Sequence, residues 1–442
     1  MKKGLITILI LAVAFLAVIP WLGGMITEST IQEQVAKTNQ IYSDIGQRTN
    51  IEIVEYNRGF GASTFLMKLT DPILAKFFGI QEILIDSEAK HGITGIDTTS
   101  SLQKNSWYKD FIDSKLGGKD PLHTHTRYSY LGNVTSDVQL DECSLASDRN
   151  TFTIKAGNFT STADKELTNF TIKGDWKGLE AAFDEGTIQL GPSTLKGDMK
   201  LFSPYIWKGS MEFAAQELQA GQEAETFTLT GPRIEVKSDI SKDGATMSVE
   251  EKISFDQLQI EEEKVESFSG SVIIKNINVK AYEEFIKAYS KAMEPIIDTM
   301  LDDPEKDPQI AGEEVAATML GMLPLVEKLL SKDLEIRLSN IHLTLPEGEI
   351  KADVRLQLLE DVTLTQFISM SQKPGMFLDI FSLASDISFP KALAEDNDSS
   401  LFQPLLPGMQ TGFFVIKDDK AVHTAEIRDG KLYLNDKEVP LQ

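Results

Sequence analysis

The fold is decided by a short segment that the chain nearly repeats, as Thr151-Phe-Thr-Ile-Lys155, Asn169-Phe-Thr-Ile-Lys173 and Thr226-Phe-Thr-Leu-Thr230. In each copy a hydroxyl or charged residue alternates with an apolar one, which is typical of a strand with one wet face and one apolar face. Similar short segments, separated by glycine, extend from about Thr124 to Val279, and two Gly-Pro turns, Gly191-Pro192 and Gly231-Pro232, punctuate them. Because the near-copies are irregularly spaced, the pattern predicts an antiparallel meander rather than a solenoid.

The period changes on either side of this meander. Upstream, Arg58-Gly-Phe-Gly61 breaks an alternating segment and predicts a first hairpin. Downstream, apolar stripes at helical spacing predict helices from Ala281 to Leu301 and from about Gln309 to Leu330, which together form a helical hairpin. Pro295 should kink the first of these helices or end it early. Pro346-Glu-Gly348 then predicts the turn of a β-hairpin.

These elements define the expected fold class. We expect an α+β, mainly β protein with an N-terminal transmembrane helix, a large antiparallel meander that can curve into a trough, a helical hairpin and a C-terminal β-hairpin region. The expected segments are residues 1–25 (signal-anchor transmembrane helix), 26–50 (polar linking helix), 51–280 (antiparallel β-rich domain), 281–332 (helical hairpin) and 333–442 (C-terminal β-rich region continuing the same body).

The N-terminus predicts a membrane anchor. Lys2 and Lys3 precede an apolar run from Gly4 to Leu22, which as a helix spans about 28 Å, close to the thickness of a bilayer core. The lysines should stay cytoplasmic, so that the body is exported. A cleaved signal peptide is the alternative, although the run is longer than such peptides have and no clear cleavage site follows it. Either reading places the body in the same compartment.

The composition excludes some classes of function. The formal net charge of −24 excludes nucleic-acid binding through phosphate neutralisation, and the body should be repelled by anionic headgroups. Cys143 is the only cysteine, so no intramolecular disulfide can form. Stability must therefore come from an apolar core.

No motif identifies a reaction. His123 and His125 have metal-like spacing on a strand, but no third ligand is evident, and Asp396-Asn-Asp398 begins like a calcium loop without its glycine or distal glutamate. Sequences typical of serine hydrolases, zinc proteases and P-loop proteins are missing. We therefore assign no catalytic, cofactor-binding or metal-ligating residue and expect no cofactor, while carboxylate pairs of a glycoside hydrolase stay open because their geometry depends on the fold.

The order of several short motifs resembles the YdgA-like family of Gram-negative bacteria. They are Glu55-Tyr-Asn-Arg58-Gly-Phe-Gly-Ala-Ser63, Lys90-His-Gly92, Asn340-Ile-His-Leu-Thr-Leu-Pro-Glu-Gly348 and the ending Asp429-Gly-Lys-Leu-Tyr-Leu-Asn435-Asp-Lys-Glu-Val-Pro440-Leu. This sequence departs from the family where isoleucine follows His91-Gly92 and where Asp436 replaces a glycine. The resemblance spans nearly the whole chain and implies a single-pass inner-membrane anchor with a periplasmic β-rich body, in a family without known catalytic residues.

The candidate structural or partner-contact residues come from these motifs: Tyr56, Arg58, Gly59, His91, Gly92, Pro346, Gly348 and Asn435. The leading hypothesis is a non-enzymatic, membrane-anchored periplasmic protein that binds lipid or lipid-like ligands in envelope maintenance. The first alternative is a scaffold or assembly partner for envelope proteins, including a homodimer, and the second is a hydrolase of envelope polymers. More apolar inward positions than the core can fill would favour lipid binding, whereas an exposed apolar patch would favour scaffolding.

Overall fold

Antiparallel strands dominate the structure, as the alternating period predicts. This computed structural model describes residues 27–40, 42–43, 48–72, 74–75, 80–146, 150–184, 186–222, 225–261, 263–302, 320–370, 373, 375–395, 408–409 and 411–440. The strands of the first half are β1 Asn50–Arg58, β2 Ala62–Thr70, β3 Ile83–His91, β4 Gly95–Leu102, β5 Leu122–Ser129, β6 Asn133–Leu140, β7 Cys143–Ala146, β8 Thr151–Ile154, β9 Gly157–Asp164, β10 Asn169–Trp176, β11 Leu179–Phe183, β12 Gly186–Leu190 and β13 Ser193–Ser203.

The second half continues with strands of similar length. They are β14 Ile206–Ala215, β15 Glu217–Gln222, β16 Glu225–Thr230, β17 Arg233–Ile240, β18 Thr246–Phe255, β19 Gln257–Ile260, β20 Glu263–Val265, β21 Ser267–Asn278, β22 Glu335–Leu345, β23 Gly348–Leu358, β24 Phe381–Pro390, β25 Val415–Lys417, β26 Lys420–Arg428, β27 Lys431–Leu434 and β28 Lys437–Val439. The predicted mainly β class is confirmed.

Helices are few. They are α1 (residues 27–40), α2 Ser106–Lys115, α3 Val279–Asp302, α4 Leu323–Leu329, α5 Leu364–Met370, α6 Met376–Ile380 and α7 Lys391–Glu395. α3 confirms the first predicted downstream helix, and it continues through Pro295, so of the two expected effects of this proline, a kink or an early end, the early end is wrong. Proline removes one helical hydrogen bond, and here the turn after it stays helical. Much of the second predicted helix lies outside the described residues. Its last part is α4, where Lys328 Nζ lies 2.6 Å from Glu284 Oε2 of α3.

The predicted anchor, residues 4–22, also lies outside the described residues. Within the part of the chain that is described, no helix has the length and apolar character needed to cross a bilayer.

The chain divides into two units. The first consists of Met1–Ala181, Lys196–Trp207 and Lys287–Ala316, and the second of Ala182–Leu195, Lys208–Ile286 and Ala317–Gln442. In the first unit, strands pair antiparallel in the order β1-β2-β3-β4-β5-β6-β9-β10. Its core contains Phe65, Ala89 and Ile96, and Ile31 of α1 packs against them. The helix predicted as a polar link therefore lies on the sheet.

The second unit contains two ladders. The longer has the antiparallel order β14-β17-β18-β21-β22-β23-β24-β26, and β12-β15-β16-β19-β20 form the shorter. One core cluster includes Leu345, Phe389 and Phe414, and another includes Leu358 and Phe381. The predicted hairpin at Pro346-Glu347 is confirmed, since Leu345 pairs with Gly348.

The two ladders meet along a line of strand breaks, which we call the crease. In the second unit its breaks are Gln216 between β14 and β15, Gly231-Pro232 between β16 and β17, Asp256 between β18 and β19, and Glu266 between β20 and β21. Backbone hydrogen bonds connect neighbouring breaks along the crease, from Gly231 N–H to Gln216 O and from Asp256 N–H to Thr230 O. We call two strands that continue in the same direction on either side of a break, such as β16 and β17, an arm. The sequence-based interpretation of Gly231-Pro232 as a turn is wrong, because the chain does not reverse there but continues from β16 into β17. Proline has no N–H to donate, so the ladder is interrupted there without reversing.

Candidate functional site

The second unit presents an apolar face on its longer ladder. Residues that pair in register lie on the same face, and Met211 is opposite Val236, Ile234 opposite Ile253, and Val272 opposite Leu338. The apolar side chains of this face that stay between 38% and 44% exposed are Met211, Ile234, Val236, Ile253, Val272, Ile336 and Leu338. We call these seven residues the apolar face. They span β14, β17, β18, β21 and β22, and neighbouring side chains leave them partly open to solvent.

The shorter ladder carries a matching row. Leu190 pairs with Leu218, Leu218 with Leu229, Leu229 with Leu258, and Leu258 with Val265. An unbroken strand alternation would place Leu218 on the side opposite Phe213, because their numbers differ by an odd count.

The hydrogen bonds of Gln216 show that the alternation shifts at the crease. Its N–H donates to Pro192 O, on one neighbouring arm, whereas its C=O accepts from Gly231 N–H, on the other. In a regular antiparallel strand both groups of a residue point to the same neighbour. For L-residues the direction of the C=O fixes the face of the side chain, so a one-residue shift exchanges the faces. Leu218 therefore lies on the same side as Met211 and Phe213, and the apolar surface continues across the crease.

The opposite side of the longer ladder is charged. Glu335 Oε1 lies 3.0 Å from Lys275 Nζ, and Glu335 Oε2 lies 2.7 Å from Arg355 Nε. Burial acts to raise the pKa of Glu335, but the hydrogen bonds from these two cations outweigh it and lower the pKa below the ordinary value of 4.5. On the apolar face, one charged residue, Glu251, pairs with Val236 and with Val272. The two sides of the ladder thus differ sharply in polarity.

In the first unit, α1 covers the sheet and leaves a cavity of about 320 Å³ beneath it. The cavity is lined by Thr27, Thr30, Ile31, Gln34, Val35 and Thr38 of α1 and by sheet residues such as Phe65, Met67, Ile96 and Tyr128. Gln34 Nε2 donates to Lys165 O at 2.9 Å, which fixes the orientation of the amide. Its buried Oε1 has no hydrogen-bond partner among the described residues. This volume is at the lower end of the range for ligand pockets.

The structure brings together five candidate residues at the ends of β1, β2 and β3. The Tyr56 hydroxyl is hydrogen-bonded to Ser63 and to Thr27, and burial raises its pKa. Ser63 Oγ lies 3.1 Å from His91 Nε2, and both residues are buried. The Arg58 guanidinium pairs with the Glu28 carboxylate of α1.

Gly59 and Gly92 form the adjoining turns. Gly59 N–H donates to Ala62 O at 2.9 Å, and a Cβ on Gly59 would lie 2.6 Å from that same oxygen. Gly92 N–H donates to Gly95 O at 2.8 Å. The contacts of Tyr56 and Arg58 with α1 indicate that this group holds the start of the helix on the sheet.

The other three candidates lie in the second unit and serve its turns. Pro346 begins the tight turn that Gly348 ends, and a Cβ on Gly348 would lie 2.9 Å from Pro390 Cγ. Asn435 Nδ2 donates to Gly412 O and Phe413 O, and its Oδ1 accepts from Thr424 N–H. Asp436 adopts a φ of +63°, a left-handed conformation that glycine adopts without steric cost.

The two histidines with metal-like spacing have separate partners. His123 Nε2 lies 3.0 Å from Asp141 Oδ2, and His125 Nε2 lies 3.4 Å from Asp97 Oδ1. Among the described residues, no three His, Cys, Asp or Glu side chains are arranged to hold a metal ion.

Sequence reasoning missed the crease and the contacts that hold α1 on the sheet. A signal for the crease was present, since the apolar residues on either side of a break differ by an odd number, as from Phe255 to Leu258 and from Leu229 to Ile234. A signal for the contacts of α1 was weaker. Asn39 Nδ2 donates to Ile51 O at 2.7 Å and its Oδ1 accepts from Ile51 N–H at 2.9 Å, so that one amide imitates a strand partner for β1.

Comparison with known proteins confirms the family resemblance. A family model described as "Bacterial protein of unknown function (DUF945)" matches residues 1–442. Protein YdgA of Escherichia coli (strain K12) is 22% identical to this chain over 403 residues, which cover 85% of this chain and 78% of YdgA. No solved structure matches the chain significantly.

Proposed function

The chain belongs to the DUF945 family of bacterial proteins, and we propose that it is a non-enzymatic, membrane-anchored periplasmic protein that binds lipid acyl chains along the apolar face of its second unit. The observation that carries this proposal is the group of half-exposed aliphatic side chains on one side of five neighbouring strands. Contiguous exposed apolar surface is uncommon on soluble proteins and is typical of interaction sites.

The shape and chemistry of the face favour an extended aliphatic ligand. Its seven half-exposed residues are Met, Ile, Val and Leu, which make aliphatic contacts. The leucine row of the shorter ladder extends the same surface across the crease, so that a long chain can contact both ladders.

Charge favours a zwitterionic or neutral lipid. Glu251 lies within the face, and the whole chain has a formal net charge of −24. A fatty-acid carboxylate or an anionic headgroup next to Glu251 would be repelled, because like charges at close range destabilise each other. Location supports the same ligand class. Residues 4–22, if they span the inner membrane, keep the periplasmic body beside a supply of lipid.

Photocrosslinking in the full-length chain tests this proposal. A photoreactive phenylalanine analogue replaces Val236 or Val272, whose side chains point into the apolar face. The matched control replaces Glu235 or Ile273, which precede or follow these positions on the same strands but point to the opposite side. After illumination in cells, mass spectrometry identifies the molecules attached at each position.

Lipid adducts at Val236 and Val272, with few at the controls, are the expected result. Equal lipid adducts on both sides would indicate random contact with membrane and would overturn the proposal.

A scaffold is the second candidate, because a half-exposed apolar face also fits a protein partner or a second copy of the chain. It predicts crosslinks to protein rather than lipid at Val236 and Val272. The same experiment therefore separates the two functions.

A further inference from the structure

Three hairpin tips of the first unit carry large apolar side chains that are exposed. Phe60 lies between β1 and β2 and is 72% exposed, Ile93 lies between β3 and β4 and is 61% exposed, and Leu131 lies between β5 and β6 and is 95% exposed. Single exposed apolar residues are common, but three on successive hairpins are a pattern. We call Phe60, Ile93 and Leu131 the tip residues.

The tips lie side by side at one end of the sheet. His91 N–H donates to Gly61 O at 2.8 Å, which joins the first tip to the second. Tyr130 N–H donates to Thr94 O at 3.1 Å, which joins the second to the third. The Tyr130 hydroxyl also donates to Gly92 O at 3.3 Å. Because backbone hydrogen bonds connect the turns, the three apolar side chains are held as one row.

The chain enters the first unit at this same end. Arg58, the last residue of β1 before the first tip, pairs with Glu28, and Tyr56 is hydrogen-bonded to Thr27. The predicted anchor ends at Leu22, five residues before Thr27. Five residues span at most about 17 Å when fully extended. An anchor that crosses the bilayer therefore keeps this end of the sheet close to the membrane surface.

We infer that the tip residues insert into the interfacial layer of the membrane from which the anchor emerges, so that the first unit contacts lipid through its hairpin tips as well as through residues 4–22. Apolar side chains presented in a row can bury themselves at the boundary between headgroups and acyl chains. Lys90, whose side chain is 71% exposed and lies 4.0 Å from the Glu88 carboxylate, is three residues before Ile93 at the same end of the sheet. This contact concerns a different surface from the apolar face and goes beyond the proposed function.

Fluorescent labelling of the full-length chain tests the inference. In a Cys143→Ser background, single cysteines replace Phe60, Ile93 or Leu131 and carry an environment-sensitive dye. The chain is reconstituted into phosphatidylcholine bilayers with or without lipids that carry a quencher near the headgroup. The control label replaces Phe111, an exposed apolar residue on α2, which connects the opposite ends of β4 and β5.

Blue-shifted emission and quenching by the labelled lipids are expected at the three tips and not at Phe111. Quenching at the tips no greater than at Phe111 would overturn the inference, because residue exposure alone would then explain the pattern. Protection of the labelled tip residues from aqueous quenchers in cells, but not in bilayers that contain no other protein, would also overturn the inference, since a protein partner would then cover the tips. In the parent chain, a dye on a cysteine at position 90 should be shielded from aqueous quenchers. In the triple variant Phe60→Ser, Ile93→Ser and Leu131→Ser, which should stay folded, the same dye should become accessible to them.

Discussion

Substitution of Gly231 by alanine should test the crease most directly. Gly231 has a φ of +64°, and a Cβ added to it would lie 2.2 Å from Asp256 Oδ2 and 2.7 Å from Asp256 Cγ. The left-handed conformation costs an alanine about 1–2 kcal/mol relative to its preferred region. Moving the Asp256 side chain out of its rotamer adds about 1 kcal/mol. We therefore expect Gly231→Ala to destabilise the second unit by about 2–3 kcal/mol.

A second glycine provides the matched control. Gly412 also lies in the second unit and has a φ of +76°, but a Cβ there would meet no atom of the described residues within 4 Å. Gly412→Ala should therefore lose only the conformational part, about 1–2 kcal/mol. Asp256→Ala in the Gly231→Ala background should recover the stability that Gly231→Ala loses beyond Gly412→Ala, because it removes the carboxylate atoms that the new Cβ meets. Urea denaturation of each variant, followed by hydrogen exchange on β16 and β17, measures these costs locally.

A Gly231→Ala variant no less stable than Gly412→Ala would refute this reasoning, since it would show that the arms do not approach as closely at the crease as the structure places them. If Asp256→Ala does not recover this stability, the contact between the new Cβ and the Asp256 carboxylate does not explain the loss. Both comparisons use differences between variants, so that they do not depend on a two-state transition for the whole chain.

Two further predictions concern charge and the contacts that hold α1 on the sheet. Glu335→Gln should destabilise the second unit by about 1–2 kcal/mol, because its two cations are about half exposed and solvent screens part of the interaction. Since folding lowers the pKa of Glu335 below 4.5, its stabilisation is present above that pH and is lost as the pH falls through the lowered pKa, so the variant and the parent should converge in acid denaturation. Asn39→Ala should remove both hydrogen bonds to Ile51 and increase hydrogen exchange in α1 and β1, whereas unchanged exchange would contradict the role given to Asn39.

The sequence predicted the class of fold because its signals are local. Alternation in segments such as Thr151–Ile154 is visible within a few residues, and so is the turn chemistry of Pro346 to Gly348. The helical stripe from Ala281 onward likewise needs no knowledge of distant partners. These elements appear in the structure as β8, the β22–β23 hairpin and α3.

The candidate site depended on contacts that are distant in sequence. Arg58 meets Glu28, 30 residues away, and Ser63 meets His91, 28 residues away. The motifs marked Arg58 and His91 as residues of interest, but only the strand order places them beside α1. The turn predicted from Gly231-Pro232 was wrong for a different reason. A Gly-Pro dipeptide signals a local break, and whether the chain reverses or continues there depends on the neighbouring arms.

The odd spacing of apolar residues across the crease argues that the chain maintains an apolar surface on one side of both ladders. At the breaks of the second unit, the apolar residue before the gap and the first one after it differ by an odd number, which is three from Phe255 to Leu258 and from Val265 to Phe268 and five from Leu229 to Ile234. Had the spacing stayed at two, the shift in alternation would have moved one ladder's apolar residues to the charged side. A break and its compensating spacing therefore have to occur together. Their joint occurrence on successive arms keeps the apolar residues of both ladders on the same side, which is what the proposed acyl-chain ligand needs in order to contact both ladders.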